Sequence, residues 1–243
     1  MSPPESALPT ATQLQADPQA AFVRVRDAAQ TGNVAAQTLL AQMLMEGKGA
    51  ESDPEAAVLW YSTAANNGSA MAMNQLGRCH ELGLGTPANA ELAAVWYRHA
   101  AESGLDWGMY NFANLLATGR GVARDVARAL ALYTQAARLG HAKSMNLLAR
   151  HLEEGIETAP DPQAALHWYR RSAEAGDFRG QANYAAILLQ QGEVEQAVVL
   201  LKQALAHGSP SFMAHIVPEL AASPHAEIRA LADAVIPAKA GIQ

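Results

Sequence analysis

The chain has 243 residues, half of them hydrophobic but only 6% aromatic, and its formal net charge is −6. This balance supplies apolar surface for a continuous core, favours helix through abundant alanine and leucine, and argues against nonspecific nucleic-acid binding. Cys79 is the single cysteine, so no intramolecular disulfide can form.

Residues 1–16 contain Pro3, Pro4 and Pro9 with several Ser and Thr and little periodicity, which predicts a disordered leader. Met1-Ser-Pro-Pro-Glu5 lacks the basic region and apolar run of a signal peptide, and no stretch approaches the roughly eighteen apolar residues of a membrane span. A cytoplasmic location is therefore expected. Order is expected from Asp17-Pro18, where Asp17 caps a helix and Pro18 suits its first position. The pair returns as Asp53-Pro54 and Asp161-Pro162, with Asn89 and Asp125 at the intervening caps, all spaced by 36 residues. From each cap a helix of about four turns runs to a glycine: Gly32, Gly68, Gly104, Gly140 and Gly176 share the same spacing of 36. Glycine there ends a helix in the left-handed conformation. A period this strict marks a repeat array.

Each repeat also begins with a helix, whose apolar stripe passes through Leu40 and Leu44, Leu76, Phe112 and Leu116, Leu148 and Leu152, and Tyr184 and Leu188. Gly47-Lys48-Gly49, Gly83-Leu84-Gly85, Gly119-Arg120-Gly121 and the degraded Gly155-Ile156-Glu157 mark the turns between helices. The organisation read from these signals is an incomplete leading repeat at 17–32, then five repeats at 33–68, 69–104, 105–140, 141–176 and 177–208. The last has lost four residues at Gln190-Gln191-Gly192-Glu193. Residues 209–236 read as a C-terminal helical cap, with Pro218 expected to interrupt its first helix, and 237–243 as a flexible tail. Ala64-Ala65, Ala100-Ala101 and Ala136-Ala137 suit close helix approach, and the Trp-Tyr pairs at 60–61, 96–97 and 168–169 read as core.

The series Leu76-Gly77, then Gly-x-Gly, a capping Asp, and Trp-Tyr-x-x-Ala-Ala-x-x-Gly resembles the Sel-one-like repeat, a branch of the tetratricopeptide-like superfamily. The resemblance covers about residues 17–208, with departures at Leu132, which replaces Trp, and at Gly77, which has no counterpart in the other repeats. It implies an all-α fold, a right-handed superhelical α-solenoid, and an adaptor or scaffold role in which first helices line a concave groove for a peptide or protein partner. The chain lacks the cysteines of the secreted, disulfide-bearing relatives.

Residues of the first helices lying between the apolar rows are expected to face that groove. They are Asn74, Arg78, Trp107, Tyr110, Asn114, Lys143, Asn146 and Arg150. Asn can donate to and accept from a peptide backbone, and Arg can clamp a carboxylate, which adds an acidic group to the expected partner. Trp and Tyr are typical interface anchors. The competing reading of these rows is an ordinary solvated helix face.

No catalytic or cofactor site is read from the sequence. Its eight histidines are scattered, no His-Glu-x-x-His or Cys-x-x-Cys motif occurs, and Cys79 and His80 point in different directions as helix neighbours. The Gly-x-Gly turns lack the strand and third glycine of a dinucleotide site. Glu153-Glu154 reads as a solvated face. Superhelical RNA readers need a basic groove, whereas Glu46, Glu81 and Glu153 interleave the cations here. The expectation is a non-catalytic, cytoplasmic protein-interaction module without metal, cofactor, nucleic acid or membrane insertion. The alternative is a cell-envelope or periplasmic regulatory factor, or a hydrolase-like activity of an unrecognised kind.

Overall fold

The computed structural model describes residues 8–240, with side chains described to residue 235. Residues 1–7 of the expected leader and 241–243 of the expected tail lie outside the described residues. Fourteen helices and no strand occur among the described residues. They are α1 (Ala11–Ala16), α2 (Pro18–Gln30), α3 (Val34–Glu46), α4 (Pro54–Asn66), α5 (Ala70–Leu82), α6 (Ala90–Glu102) and α7 (Asp106–Thr118). After these come α8 (Val126–Arg138), α9 (Ala142–Glu154), α10 (Pro162–Glu174), α11 (Phe178–Gln190), α12 (Val194–His207), α13 (Pro210–Ala221) and α14 (Ala226–Ala240).

The chain forms two compact units, Met1–Leu132 and Tyr133–Gln243. In the first, each helix from α1 to α7 packs on the next, and α5 also touches α7, so first helices of neighbouring repeats lie side by side. Val25, Leu40 and Met43 bury one part of the core; Tyr61, Leu76 and Cys79 bury the next, and Trp60 packs against both. In the second unit α9, α10, α11 and α12 pack in succession and α9 touches α11. Helices α13 and α14 pair, and Leu220, Ile228 and Leu231 join Leu188 and Leu201 in one apolar cluster. This all-helical stack of consecutive pairs is solenoid packing, in which each repeat buries its apolar face on its neighbours.

Local chemistry sets the helix limits. Side-chain oxygens of Asp17, Asp53, Asn89, Asp125 and Asp161 accept the backbone N–H three residues on, at 2.9–3.0 Å. At the other end, Gly68 at φ 88° donates its N–H to the Ala65 carbonyl, and Ser69 donates to Ala64. The Ala-Ala pair thus presents small side chains to the neighbouring helix and carbonyls to the turn. The second glycine of each Gly-x-Gly has a different duty. A Cβ on Gly85 would overlap the Pro54 carbonyl, so this turn lies directly on the start of α4.

In its helix limits the structure departs from the sequence expectations at three places. Residues 11–16 of the expected disordered leader form α1, because Thr10 and Gln13 make a reciprocal capping box and Leu14 packs on the Val25 cluster. Helix α13 continues through Pro218 to Ala221. The carbonyl that the missing N–H would serve belongs to exposed Ala214, which water can reach. Gly208, which follows α12, has φ −64°, unlike the left-handed Gly32, Gly68, Gly104, Gly140 and Gly176, and a side chain there would strike Phe212. Residues 237–240 of the expected tail belong to α14. Between α11 and α12 lie only Gln191-Gly192-Glu193.

Candidate functional site

In the first unit the candidate residues stand on α5 and α7. Asn111 Nδ2 donates to Asn74 Oδ1 at 2.9 Å, which fixes the register of the two helices. One turn beyond Asn74, Arg78 is exposed. Trp107 is 41% exposed, and its ring meets that of Tyr110 edge-on, with centroids 6.1 Å apart and planes at 87°. Tyr110 and Asn114 are half-buried. In the second unit Lys143 is half-buried on α9, and Asn146 accepts a hydrogen bond from Asn183 Nδ2 at 2.8 Å. Arg150 is exposed but lies 3.6 Å from Glu154 one turn on.

Asn74 and Asn146 correct the expectation of an open row: each is only 6% exposed. Their row sits on the flank of the helix that meets the next first helix, so each amide is engaged by the neighbouring repeat. The sequence carried a signal for this pairing, since Asn74 and Asn111, like Asn146 and Asn183, are separated by one repeat plus one residue. Arg78, Trp107 and Tyr110 keep surface that a partner could reach.

Several polar residues outside those rows are also held. Tyr97 Oη donates to Glu81 Oε2 at 2.6 Å, and Tyr169 Oη to Glu153 Oε2 at 2.7 Å. Burial pushes both phenols far above their ordinary range, and the bonded carboxylates push the same way. Glu81 also pairs with Arg120. Glu153, expected on a solvated face, is therefore tied to the core through Tyr169. Gln37 and Gln181 are each 4% exposed on the first helices of their repeats.

The chemistry of the possible nucleophile and bases is muted. Cys79 is 3% exposed, and burial pushes its thiol up to about 11, leaving it protonated at neutral pH. Burial also lowers His80 and His151 below the usual imidazole value. Among the described residues no group of three or more His, Cys, Asp or Glu is placed to hold a metal ion. No helix among them is long and apolar enough to cross a membrane.

Among solved structures the chain is similar to a Sel1 repeat protein from Oxalobacter formigenes, with 25% identity and a TM-score of 0.77 over 92% of this chain and 96% of that one. It is also similar to c5321, a protective antigen present in uropathogenic Escherichia coli strains displaying an SLR fold, with 32% identity and a TM-score of 0.69. That match covers 84% of this chain but 44% of the antigen's, so the chain spans less than half of the antigen's length. The immunity protein Pa5087 from Pseudomonas aeruginosa shares the fold, with 15% identity and a TM-score of 0.56 over 82% of this chain and 75% of that one. No curated protein matches the sequence. The Sel1 repeat profile matches residues 34–69, 70–105, 108–141 and 142–177, passing over Asp106 and Trp107. With these matches covering more than half of its length, the chain belongs to the Sel1 repeat family.

Proposed function

We propose that the chain is a non-catalytic protein-interaction adaptor. On this reading the first-helix face of the first unit holds a peptide or protein segment. Trp107 and Tyr110 are its aromatic anchors, and Arg78 receives an acidic group of the partner. The observation that carries the reading is Trp107. It stands 41% exposed against Tyr110, and it lies between the second and third matches to the family profile. A large aromatic held rigidly at a surface supplies contact area at low entropic cost and is typical of binding hot spots. Asn74 and Asn146 are left out of the contact set because their amides serve the repeat stack. Asn114 borders the aromatic pair. In the second unit Lys143 and Arg150 offer a separate, weaker contact, since Arg150 already has Glu154 beside it.

The test is affinity capture from a lysate followed by mass spectrometry, with wild type against Trp107→Ala combined with Arg78→Ala. The double variant should keep its helical circular dichroism and lose the partner that wild type retains, by roughly tenfold or more for a hot-spot pair. Undiminished capture by the folded double variant would remove this face from consideration.

The same proposal places the protein in the cytoplasm. The alternative reading is a factor of the cell envelope or periplasm. Cell fractionation separates them: recovery with the periplasmic fraction overturns the cytoplasmic placement.

A further inference from the structure

Gln37 and Gln181 occupy the same position in the first and fifth repeats. Each sends its Nε2 to the carbonyl eight residues earlier, Ala29 at 3.3 Å and Ala173 at 3.5 Å. This shared bond fixes the orientation of both amides and leaves Oε1 as the free acceptor. In the first repeat that acceptor is filled: Asn67 Nδ2 donates to Gln37 Oε1 at 3.0 Å. Asn67 precedes Gly68, the last residue of its repeat. The corresponding residue before Gly208 is His207, and Gln181 Oε1, buried, has no hydrogen-bond partner. A buried acceptor left without a donor is unfavourable, and native proteins rarely keep one without a reason. The fifth repeat therefore contains half of a pair whose other half, in the first repeat, is a primary carboxamide.

The missing half has somewhere to sit. A crevice of about 690 Å³ opens among α10, α11 and α12, lined in part by Glu174, Gln181, Tyr184, Leu200, Gln203 and His207. Its size suits a small ligand or a single inserted side chain. Tyr184 and Leu200 give it an apolar wall. Gln203 Oε1 accepts from Gln181 Nε2 over a long 3.4 Å, and Gln203 keeps its own amide N–H groups as donors.

We infer that this crevice binds a primary carboxamide. The ligand's N–H donates to Gln181 Oε1, as Asn67 does to Gln37, and its carbonyl accepts from Gln203 Nε2. Gln181 Oε1 is shielded from solvent, so binding requires a local shift that opens it to the crevice. An alkylammonium ion could satisfy the acceptor but offers no carbonyl to exposed Gln203, whose N–H groups then stay with water, so it gains one hydrogen bond fewer and binds less well. The carboxamide can come from a free small amide or from an Asn or Gln side chain of a protein partner.

The experiment follows the side-chain amide resonance of Gln181 in ¹H–¹⁵N spectra of the full chain during titration with propionamide, with propylammonium chloride as control. Propionamide should give a saturable shift, and the control a response at least tenfold weaker. Gln181→Met removes the acceptor with little change in length; shifts of the neighbouring Gln203 amide should then disappear. His207→Asn rebuilds the first-repeat pair, so it should raise Tm and abolish propionamide binding. Titrating L-glutamine beside acetyl-Ala-Gln-Ala-N-methylamide separates the sources: tighter binding of the peptide assigns the site to a partner's side chain, tighter binding of the amino acid to a free amide. The inference is overturned if propionamide gives no saturable shift. It is equally overturned if Gln203 responds unchanged in Gln181→Met, or if His207→Asn binds propionamide as well as wild type does.

Discussion

Gly68 and Gly85 both take left-handed backbone, at φ 88° and 66°, but they answer to different constraints. A Cβ on Gly68 meets nothing within 4 Å, so only its dihedral angles demand glycine. A Cβ on Gly85 would also overlap the Pro54 carbonyl, where the turn of the second repeat rests on the start of α4. Gly68→Ala should cost about 1 kcal/mol, the left-handed strain less the entropy regained in the unfolded chain. Gly85→Ala adds overpacking to the same strain and should cost about 2–4 kcal/mol. Urea unfolding of the two variants measures the difference, and equal losses would remove the contact role of the second glycine. The fourth repeat makes the same distinction in its own sequence: Glu157, at φ 56°, is the one non-glycine left-handed residue among the described residues, at the position that Gly85 holds in the second repeat.

At the level of the helix, the signals legible in the sequence are those confined to one backbone turn. Asp53 and Ala56, or Gly68 and Ala65, are three residues apart, so residue type alone predicts their bonds. The first helices follow the same logic, with Asn33, Ser69, His141 and Asp177 each capping by a side chain, but Leu105 at the start of α7 has no side-chain cap. Asp53→Ala should therefore lose about 1 kcal/mol. Leu105→Asn should move the opposite way by less than about 1 kcal/mol, because a half-buried leucine is surrendered for the new bond. Thermal denaturation of the pair tests the sign; destabilisation by both would show that α7 depends on Leu105 packing more than on a cap. Bonds between helices were not legible in this way. The Asn74–Asn111 bond depends on which flank of α5 meets α7, and the Tyr97–Glu81 bond on how the two helices of one repeat face each other. The periodicity reports the inward face of a helix clearly and its flanks poorly. For that reason the candidate rows mixed exposed Arg78 with buried Asn74. Helix α1 is illegible for another reason: six residues carry too little periodicity to stand out from a proline-bearing leader.

For the molecule as a stack, the consequence is that residues 69–104 can be removed without changing the kinds of neighbour that remain. In the first unit each helix from α1 to α7 touches the next, and α5 touches α7 along the first-helix layer. Deleting this period joins Gly68 to Leu105 and sets α4 against α7. Ala64 then takes the place of Ala100 beside Gly108, and Phe112 takes that of Leu76, so the interface keeps its character and loses some fit. Asn111 loses Asn74 and meets the row of Thr38, whose hydroxyl can accept in its place; Arg120 loses Glu81 and faces the row of Met45. The shortened chain should keep its helical ellipticity per residue and a cooperative thermal transition, at a lower Tm. Deleting 69–86 alone removes α5 and its turn but leaves α6, which brings two second helices together and exposes the faces of Tyr61, Ala64 and Ala65 that α5 had covered. That variant should lose ellipticity per residue and bind a hydrophobic dye. A stack held by nearest-neighbour interfaces predicts this contrast, because stability is a sum over adjacent repeats and whole units are its interchangeable terms. Comparable loss of helix in both deletions would mean that the first unit is one cooperative core, with the 36-residue period a feature of its sequence but not of its energetics.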